Sequence, residues 1–205
     1  MINFSDLEKQ LITASLSGWE GQKQMSPPYR ALLTPEEIEA KNPKQSAVSI
    51  VLYIRENRFY FPVIVRNVYH GVHSGQVSLP GGKREKIDAS FEETARRETQ
   101  EELGLKTENL KIIRDLTPIY IPPSNFQVYP YISVYQSDEI IFSPDEKEVS
   151  RVVDVDLENF LTQTPIVWSS APTRKTAVPC FVCGGLLIWG ATAMILNEFR
   201  LLFKK

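Results

Sequence analysis

Apolar residues at Phe4, Leu7, Leu11, Ile12 and Leu16 recur at helical spacing, which predicts an amphipathic helix over 4–16 with Ser5 or Asp6 as its cap. Residues 17–45 lose that period. Pro27-Pro28 and Pro35 interrupt them, so a long irregular connection is expected, with one helical turn at 36–40. Two β-branched and aromatic runs follow, at 47–54 and 60–65. They read as a hairpin across Arg55-Glu56-Asn57-Arg58. A short strand at 76–79 ends at Pro80-Gly81-Gly82, and a polar helical segment spans 89–103 with Gly104 as its stop. Asp88 or Ser90 is its expected N-cap.

Strands are then predicted near 110–116, 126–135 and 148–155, with a short helical stretch at 157–161. A second hairpin joins 178–182 to 186–189 across Cys183-Gly184-Gly185, and an amphipathic helix over 191–203 closes the pattern. Hairpins with three main helices predict an α/β fold: a mixed sheet with helices packed on its faces. No linker divides the chain. The expected organisation is one domain over 1–205 with an N-terminal helical extension of about 45 residues.

The helix at 89–103 breaks the ordinary pattern. It carries Arg97-Glu98-Thr99-Gln100-Glu101-Glu102, with carboxylates at i, i+3 and i+4. At 100° per residue, Glu101 and Glu102 lie within about 60° of Glu98, where like charges repel. Glu92 and Glu93 suit the helix start, but the other three sit in the last two turns, where the dipole disfavours negative charge. The plain alternative is a solvated charged face. Hard divalent cations take oxygen ligands, and Mg²⁺ is commonly held by one or two carboxylates plus substrate phosphates. The cluster therefore points to a metal-dependent enzyme acting on a phosphate ester or anhydride. Arg97 suits a bidentate bond that orients one of the glutamates. The Gly81-Gly82 turn just before the helix can position it and present backbone N–H groups to a phosphate.

Composition narrows the setting. The 205 residues are 42% hydrophobic and 23% charged, which is ordinary for a soluble globular protein. A net charge of −2 gives no reason to expect binding to nucleic acid or to a membrane surface. Asp6 and Glu8 stand where a signal peptide would need apolar residues, so a cytoplasmic protein is expected. Cys180 and Cys183 form the one C-x-x-C. Zinc would need two more ligands, and the two histidines, His70 and His73, lie more than a hundred positions away. Phe181 and Val182 between the cysteines indicate a strand, so both are read as small core residues.

The acidic segment resembles a Nudix box, G-x5-E-x7-R-E-U-x-E-E-x-G-U with U aliphatic. Arg97-Glu98, Glu101-Glu102 and Gly104-Leu105 match it. Thr99 stands where an aliphatic residue is usual. The spacing from Gly82 to Arg97 is one residue longer, and Asp88 replaces the early Glu. The lengthened box resembles the coenzyme A diphosphatase branch of that family. So does the run His73-Ser74-Gly75-Gln76-Val77-Ser78-Leu79-Pro80-Gly81-Gly82, with Arg66 seven residues upstream, and so does Trp189-Gly190-Ala191-Thr192-Ala193 near the end. Leu79 replaces a Phe of that signature.

The resemblance implies a Nudix fold, an α/β/α sandwich with a mixed sheet. It also implies hydrolysis of the diphosphate of coenzyme A or acyl-coenzyme A, giving adenosine 3′,5′-bisphosphate and (acyl-)4′-phosphopantetheine. Alternatives are a diphosphatase for ADP-ribose, NADH or dinucleoside polyphosphates, and a non-catalytic Nudix-fold nucleotide-binding module. Mg²⁺ or Mn²⁺ would be held by Glu98 and Glu102, with Glu101 next, and Arg97 would complete the catalytic group. Glu146 and Glu148 in the loop 143–148 are candidate general bases, as is a glutamate of the box. Arg66, Lys83 and Arg84 are candidates for phosphate contact, against surface charge. His73 could bond a phosphate or its own tight loop, and Gly81 and Gly82 would lie against substrate. The run 120–126 could wall an adenine or pantetheine pocket, or simply pack the core. The partner expected is a small nucleotide of the coenzyme A type, with a homodimer left open.

Overall fold

The computed structural model describes residues 4–67, 75–137, 139–168 and 176–204. The first helix, α1 (Phe4–Thr13), buries Leu7 and Leu11 completely. It stops earlier than its periodicity suggests. Ile12 is 58% exposed and Leu16 lies outside the helix, so these two apolar positions do not extend the buried stripe.

The segment expected to be irregular is partly helical. It contains α2 (Gly18–Gln22), a 3₁₀ turn (Lys23–Met25) and α3 (Pro35–Glu39). The last has a capping box, in which Thr34 accepts from the Glu37 N–H and Glu37 accepts from the Thr34 N–H at 2.8 Å. What holds α2 is a distant partner invisible to local pattern. Glu198 is fully buried, and one oxygen accepts from the Gly18 N–H at 3.1 Å while the other accepts from Gln22 Nε2 at 2.9 Å. Thr117 donates to the same carboxylate through both its hydroxyl and its N–H. A buried carboxylate with four donors is satisfied, which is the condition for its burial.

The main sheet follows: β1 (Lys44–Arg55), β2 (Arg58–Arg66), β3 (Val77–Ser78), β4 (Gly81–Lys83), then α4 (Phe91–Leu103), β5 (Leu110–Asp115), β6 (Ile119–Ile121), β7 (Phe126–Tyr135) and β8 (Val149–Asp156). The first hairpin turns on Glu56-Asn57 alone, both at positive φ, so Arg55 and Arg58 pair within the strands. β1 runs parallel to β7 from Lys44↔Phe126 to Leu52↔Val134, while its pairings with β2 and β4 are antiparallel. The sheet is therefore mixed, as expected, with helices packed on it.

After α5 (Leu157–Thr162), the strands β9 (Ile166–Trp168), β10 (Val178–Cys183) and β11 (Leu186–Trp189) form a separate three-stranded sheet, and α6 (Gly190–Leu201) completes the chain. The short strands β6 and β9 have no counterpart in the sequence pattern. At three residues each, they show no period to read. Phe61, Phe160, Phe181 and Phe199 link the two sheets and α6 edge to face, with centroids 5.0–6.1 Å apart. Cys180 and Cys183 are buried strand residues, and burial pushes the Cys183 thiol up to about 11. These thiols are inert core atoms, in line with the reading from sequence.

Candidate active site

The helix α4 presents its acids next to the strand β4. Ser90 is the N-cap, accepting from the Glu93 N–H at 3.2 Å. Asp88 serves instead as an anchor, since both its oxygens take bonds from Arg97, from Nε and Nη2, each at 3.0 Å. Thr94 and the Glu85 N–H add two more, and this environment, led by Arg97, holds the Asp88 carboxyl down to about 2. Arg97 extends the chain of contacts with 2.8 Å bonds from Nη1 to Glu98 and to Glu101. It orients two glutamates, one more than expected. Asp88, the residue that departs from the usual box, is what fixes Arg97.

Glu102 lies deepest, with its side chain 2% exposed. Its Oε2 accepts from the Gly81 N–H at 2.7 Å. Its Oε1 faces Arg66 Nη2 at 3.0 Å at an angle that makes an ion pair but no hydrogen bond, so this buried oxygen has no hydrogen-bond donor. Burial pushes the Glu102 carboxyl up to about 7, against the opposing pull of Arg66 and the Gly81 N–H. Burial also raises Glu98, although Arg97 opposes it. The charge of Glu148 adds to the rise at both. Glu101 is turned outward, with 56% of its side chain exposed.

The Gly81-Gly82 pair is not a free turn. It is strand β4, paired as Val48↔Gly81 and Ala47↔Gly82. The Gly81 N–H is engaged by Glu102, which corrects the expectation that it faces a phosphate. Gly81 has φ +150°, and a Cβ there would lie 2.3 Å from the Ala47 carbonyl oxygen. At Gly82 a Cβ would lie 2.4 Å from Glu98 Oε2, so the missing side chain is the space that Glu98 occupies. Thr99, the polar residue at an aliphatic position of the box, is fully buried and donates to the Ala95 carbonyl at 2.7 Å. Its hydroxyl is satisfied within the helix, so the position still packs as core.

Arg66 donates to the Gly81 carbonyl at 2.8 Å and pairs with Glu102, joining β2, β4 and α4. Next along the chain, Asn67 Nδ2 donates to the Glu146 carbonyl and its N–H to that of Glu148, at 2.7 and 3.0 Å. The loop 143–148 is pinned at its start as well: the Ser143 N–H donates to Leu103, and Ser143 packs where a Cβ on Gly104 (φ +69°) would sit. His73 lies outside the described residues.

Beside β4 opens a cavity of about 770 Å³. Its wall includes Arg66, Gly81, Gly82 and Lys83 at the carboxylate side, and the glutamates sit just behind that strand. The run around Pro122-Pro123 also lines it, so this stretch walls a pocket. Arg84 turns away, bonding the Asp88 and Ala89 carbonyls.

The family model of the NUDIX domain matches residues 43–174. The chain belongs to the Nudix hydrolase family. It is 30% identical over 131 residues to a Nudix hydrolase, NudL, of Pectobacterium atrosepticum, covering 63% of this chain and 67% of that protein. It is 34% identical over 134 residues to the human mitochondrial coenzyme A diphosphatase NUDT8, covering 64% of this chain and 56% of that protein. A MutT/nudix family protein from Enterococcus faecalis shares the fold, with a TM-score of 0.51 and 15% identity over 97% of this chain and 73% of that one. This chain thus spans little more than half the length of its human relative.

Nudix hydrolases generally use divalent cations and act on small nucleotides. Among the described residues, no three His, Cys, Asp or Glu side chains stand together in a way that could hold a metal ion. Glu98 and Glu102 nonetheless carry the hard oxygen donors that a divalent cation takes. Glu102 keeps a buried oxygen without a hydrogen bond, and Gly82 leaves Glu98 room beside it. Among the described residues, no helix of this Nudix protein is long and apolar enough to cross a membrane.

Proposed function

We propose that the chain hydrolyses the diphosphate of coenzyme A or an acyl-coenzyme A. The observation that carries the reading is the 73–82 run of the coenzyme A branch, which ends on the glycines that meet Glu98 and Glu102 and that line a largely apolar cavity beside β4. The human relative's name points the same way. Mg²⁺ or Mn²⁺ would be held by Glu98 and Glu102, with Glu101 next. When bound, such an ion neutralises diphosphate charge and lowers the pKa of an attacking water.

The chain's own residues prepare that chemistry. Asp88 and Arg97 fix Glu98. The Gly81 N–H and Arg66 fix Glu102. Lys83 stands on the cavity wall as a cation for phosphate oxygens. Of the two loop glutamates, Glu148 is our candidate general base, because its charge is felt at both Glu98 and Glu102. Glu148→Gln is expected to lower kcat about 100-fold and to change the pH–rate profile, while Glu146→Gln stays near wild type. Equal effects from the two would remove this assignment.

The reading itself is tested by mass spectrometry of products after incubation with Mg²⁺ or Mn²⁺ and a panel of coenzyme A, acetyl-coenzyme A, ADP-ribose, NADH and diadenosine polyphosphates. Adenosine 3′,5′-bisphosphate with phosphopantetheine, formed faster than the other products, is the expected result. Preferential cleavage of ADP-ribose or NADH would discard the coenzyme A assignment and keep the metal mechanism.

A further inference from the structure

Part of the cavity wall is built by two segments that lie outside the matched family domain. Pro27, Tyr29 and Ala31 come from the strap before it; after it come Trp189, at the end of β11, and Ala191 and Ile195 in the first half of α6. The strap is fastened. Arg30 donates to the Tyr120 carbonyl on β6 and to Met194 Sδ on α6, the latter at 3.3 Å. Its root at α2 is held by the buried Glu198 and by Asn197, which donates to the Gly21 carbonyl at 2.7 Å.

We infer that this wall receives the pantetheine arm and its acyl group, with Tyr29 and Ala31 setting how much acyl chain fits; the inference rests on the function proposed above. Charge decides between the two halves of the substrate. The adenosine half carries a 3′-phosphate, which needs uncommitted donors. Both arginines on the wall are engaged, Arg30 by a carbonyl and a thioether, Arg66 by Glu102 and the Gly81 carbonyl. Lys83 lies on β4 beside the carboxylates, and the wall outside the family domain offers proline, aromatic and aliphatic surface with no free cation among Pro27, Ala31, Trp189, Ala191 and Ile195. A phosphate buried there without a partner would carry a large desolvation penalty.

The arm instead needs apolar surface and a few groups to meet its amides. Ser78 and Ser124 both line the cavity, and each keeps a buried hydroxyl with no hydrogen-bond partner. A hydroxyl can donate to an amide carbonyl or accept from an amide N–H, so the two orphaned groups suit a chain of amides. A volume of about 770 Å³ is within the range of ligand pockets.

The test uses the full chain and both product halves as ligands. Ala31 is an exposed position on the cavity rim, so Ala31→Trp narrows the cavity without entering the core. Tyr29→Ala opens it and is the second variant. By calorimetry, Ala31→Trp is expected to weaken 4′-phosphopantetheine about 10-fold and to leave adenosine 3′,5′-bisphosphate within about twofold. In kinetics, kcat/KM is expected to fall more steeply with acyl length in Ala31→Trp and less steeply in Tyr29→Ala. The reverse binding pattern would place the adenosine half in the cavity and overturn the inference. Unchanged binding and unchanged chain-length dependence in both variants would remove the strap from the site. A wild-type protein that neither binds nor cleaves coenzyme A would remove the proposed function, and this inference with it, before any variant is made.

Discussion

Glu102→Gln is expected to lower metal-dependent turnover on the order of 10²–10³-fold, the scale of losing one electrostatic stabiliser of a transition state. Glutamine keeps an acceptor for the Gly81 N–H, so the 2.7 Å contact between β4 and α4 can survive and the fold with it. What is lost is the charge. The same substitution carries a signature in stability. Glu102 titrates at about 7 when folded, against about 4.3 in an unfolded chain. Between those values the folded protein holds a proton that the unfolded chain has released. Stability therefore falls as pH rises from about 4.5 to 7, by on the order of a few kcal/mol. In metal-free buffer the wild-type melting temperature is expected to drop by several degrees over that window. Glu98 contributes in the same direction, and Asp88 acts only at far lower pH. Glu102→Gln should flatten most of the slope. Near-normal turnover with a normal melting curve would sink the ligand assignment, and a slope kept in the variant would mean another group titrates.

Gly82→Ala should separate catalysis from folding. The backbone there is not in the left-handed region, so alanine is conformationally allowed. The new Cβ would lie 2.4 Å from Glu98 Oε2 and 2.6 Å from its Cδ. Those atoms are the end of a flexible side chain, so the carboxylate moves and the strand stays. A displacement of about an ångström at a reacting centre costs about 10²-fold in rate. We expect kcat to fall on that scale with a melting temperature within a few degrees of wild type. Gly81→Ala is the contrast. Its Cβ would meet the Ala47 carbonyl at 2.3 Å and the Val48 Cα at 2.5 Å, both backbone, and φ is +150°. That variant should lose stability first. Unchanged kinetics in Gly82→Ala would show that Glu98 is not held where the chemistry needs it.

The acidic helix is legible in the sequence, because Glu98, Glu101 and Glu102 are local in one segment and their crowding needs an explanation. So are the long strands, whose apolar runs extend over several residues. What depends on distant partners is not. The helix α2 forms on Glu198, 180 positions from Gly18, and no window of 17–45 could announce that. Asp88 is visible as a departure from the box, yet its role emerges only once Arg97 takes both its oxygens. The glycine pair misleads in one respect: flexible backbone suggests an open turn, where close packing of β4 against β1 and α4 is the reason for it. By sequence Glu148 is one of two equivalent loop glutamates; Asn67 holds the backbone carbonyls of both, and what marks Glu148 is its charge, which is felt at Glu98 and Glu102.

The parallel pairing of β1 with β7 bears on how the protein assembles. Lys44 meets Phe126 and Leu52 meets Val134, so the ladder closes a crossover that contains β2 to β6 and the whole acidic helix. Closing a loop of about 80 residues carries roughly 4 kcal/mol of chain entropy beyond a constant, and non-local pairings of this kind slow folding. β4 cannot seat against β1 without β1 in place, and Glu102 gains its Gly81 partner only through β4. The helix brings the carboxylates together locally, but Glu102 is buried against Gly81 only late, after the sheet that shields it exists. Cation affinity should accordingly appear in the slowest refolding phase, and an early collapsed species should leave the metal in solution.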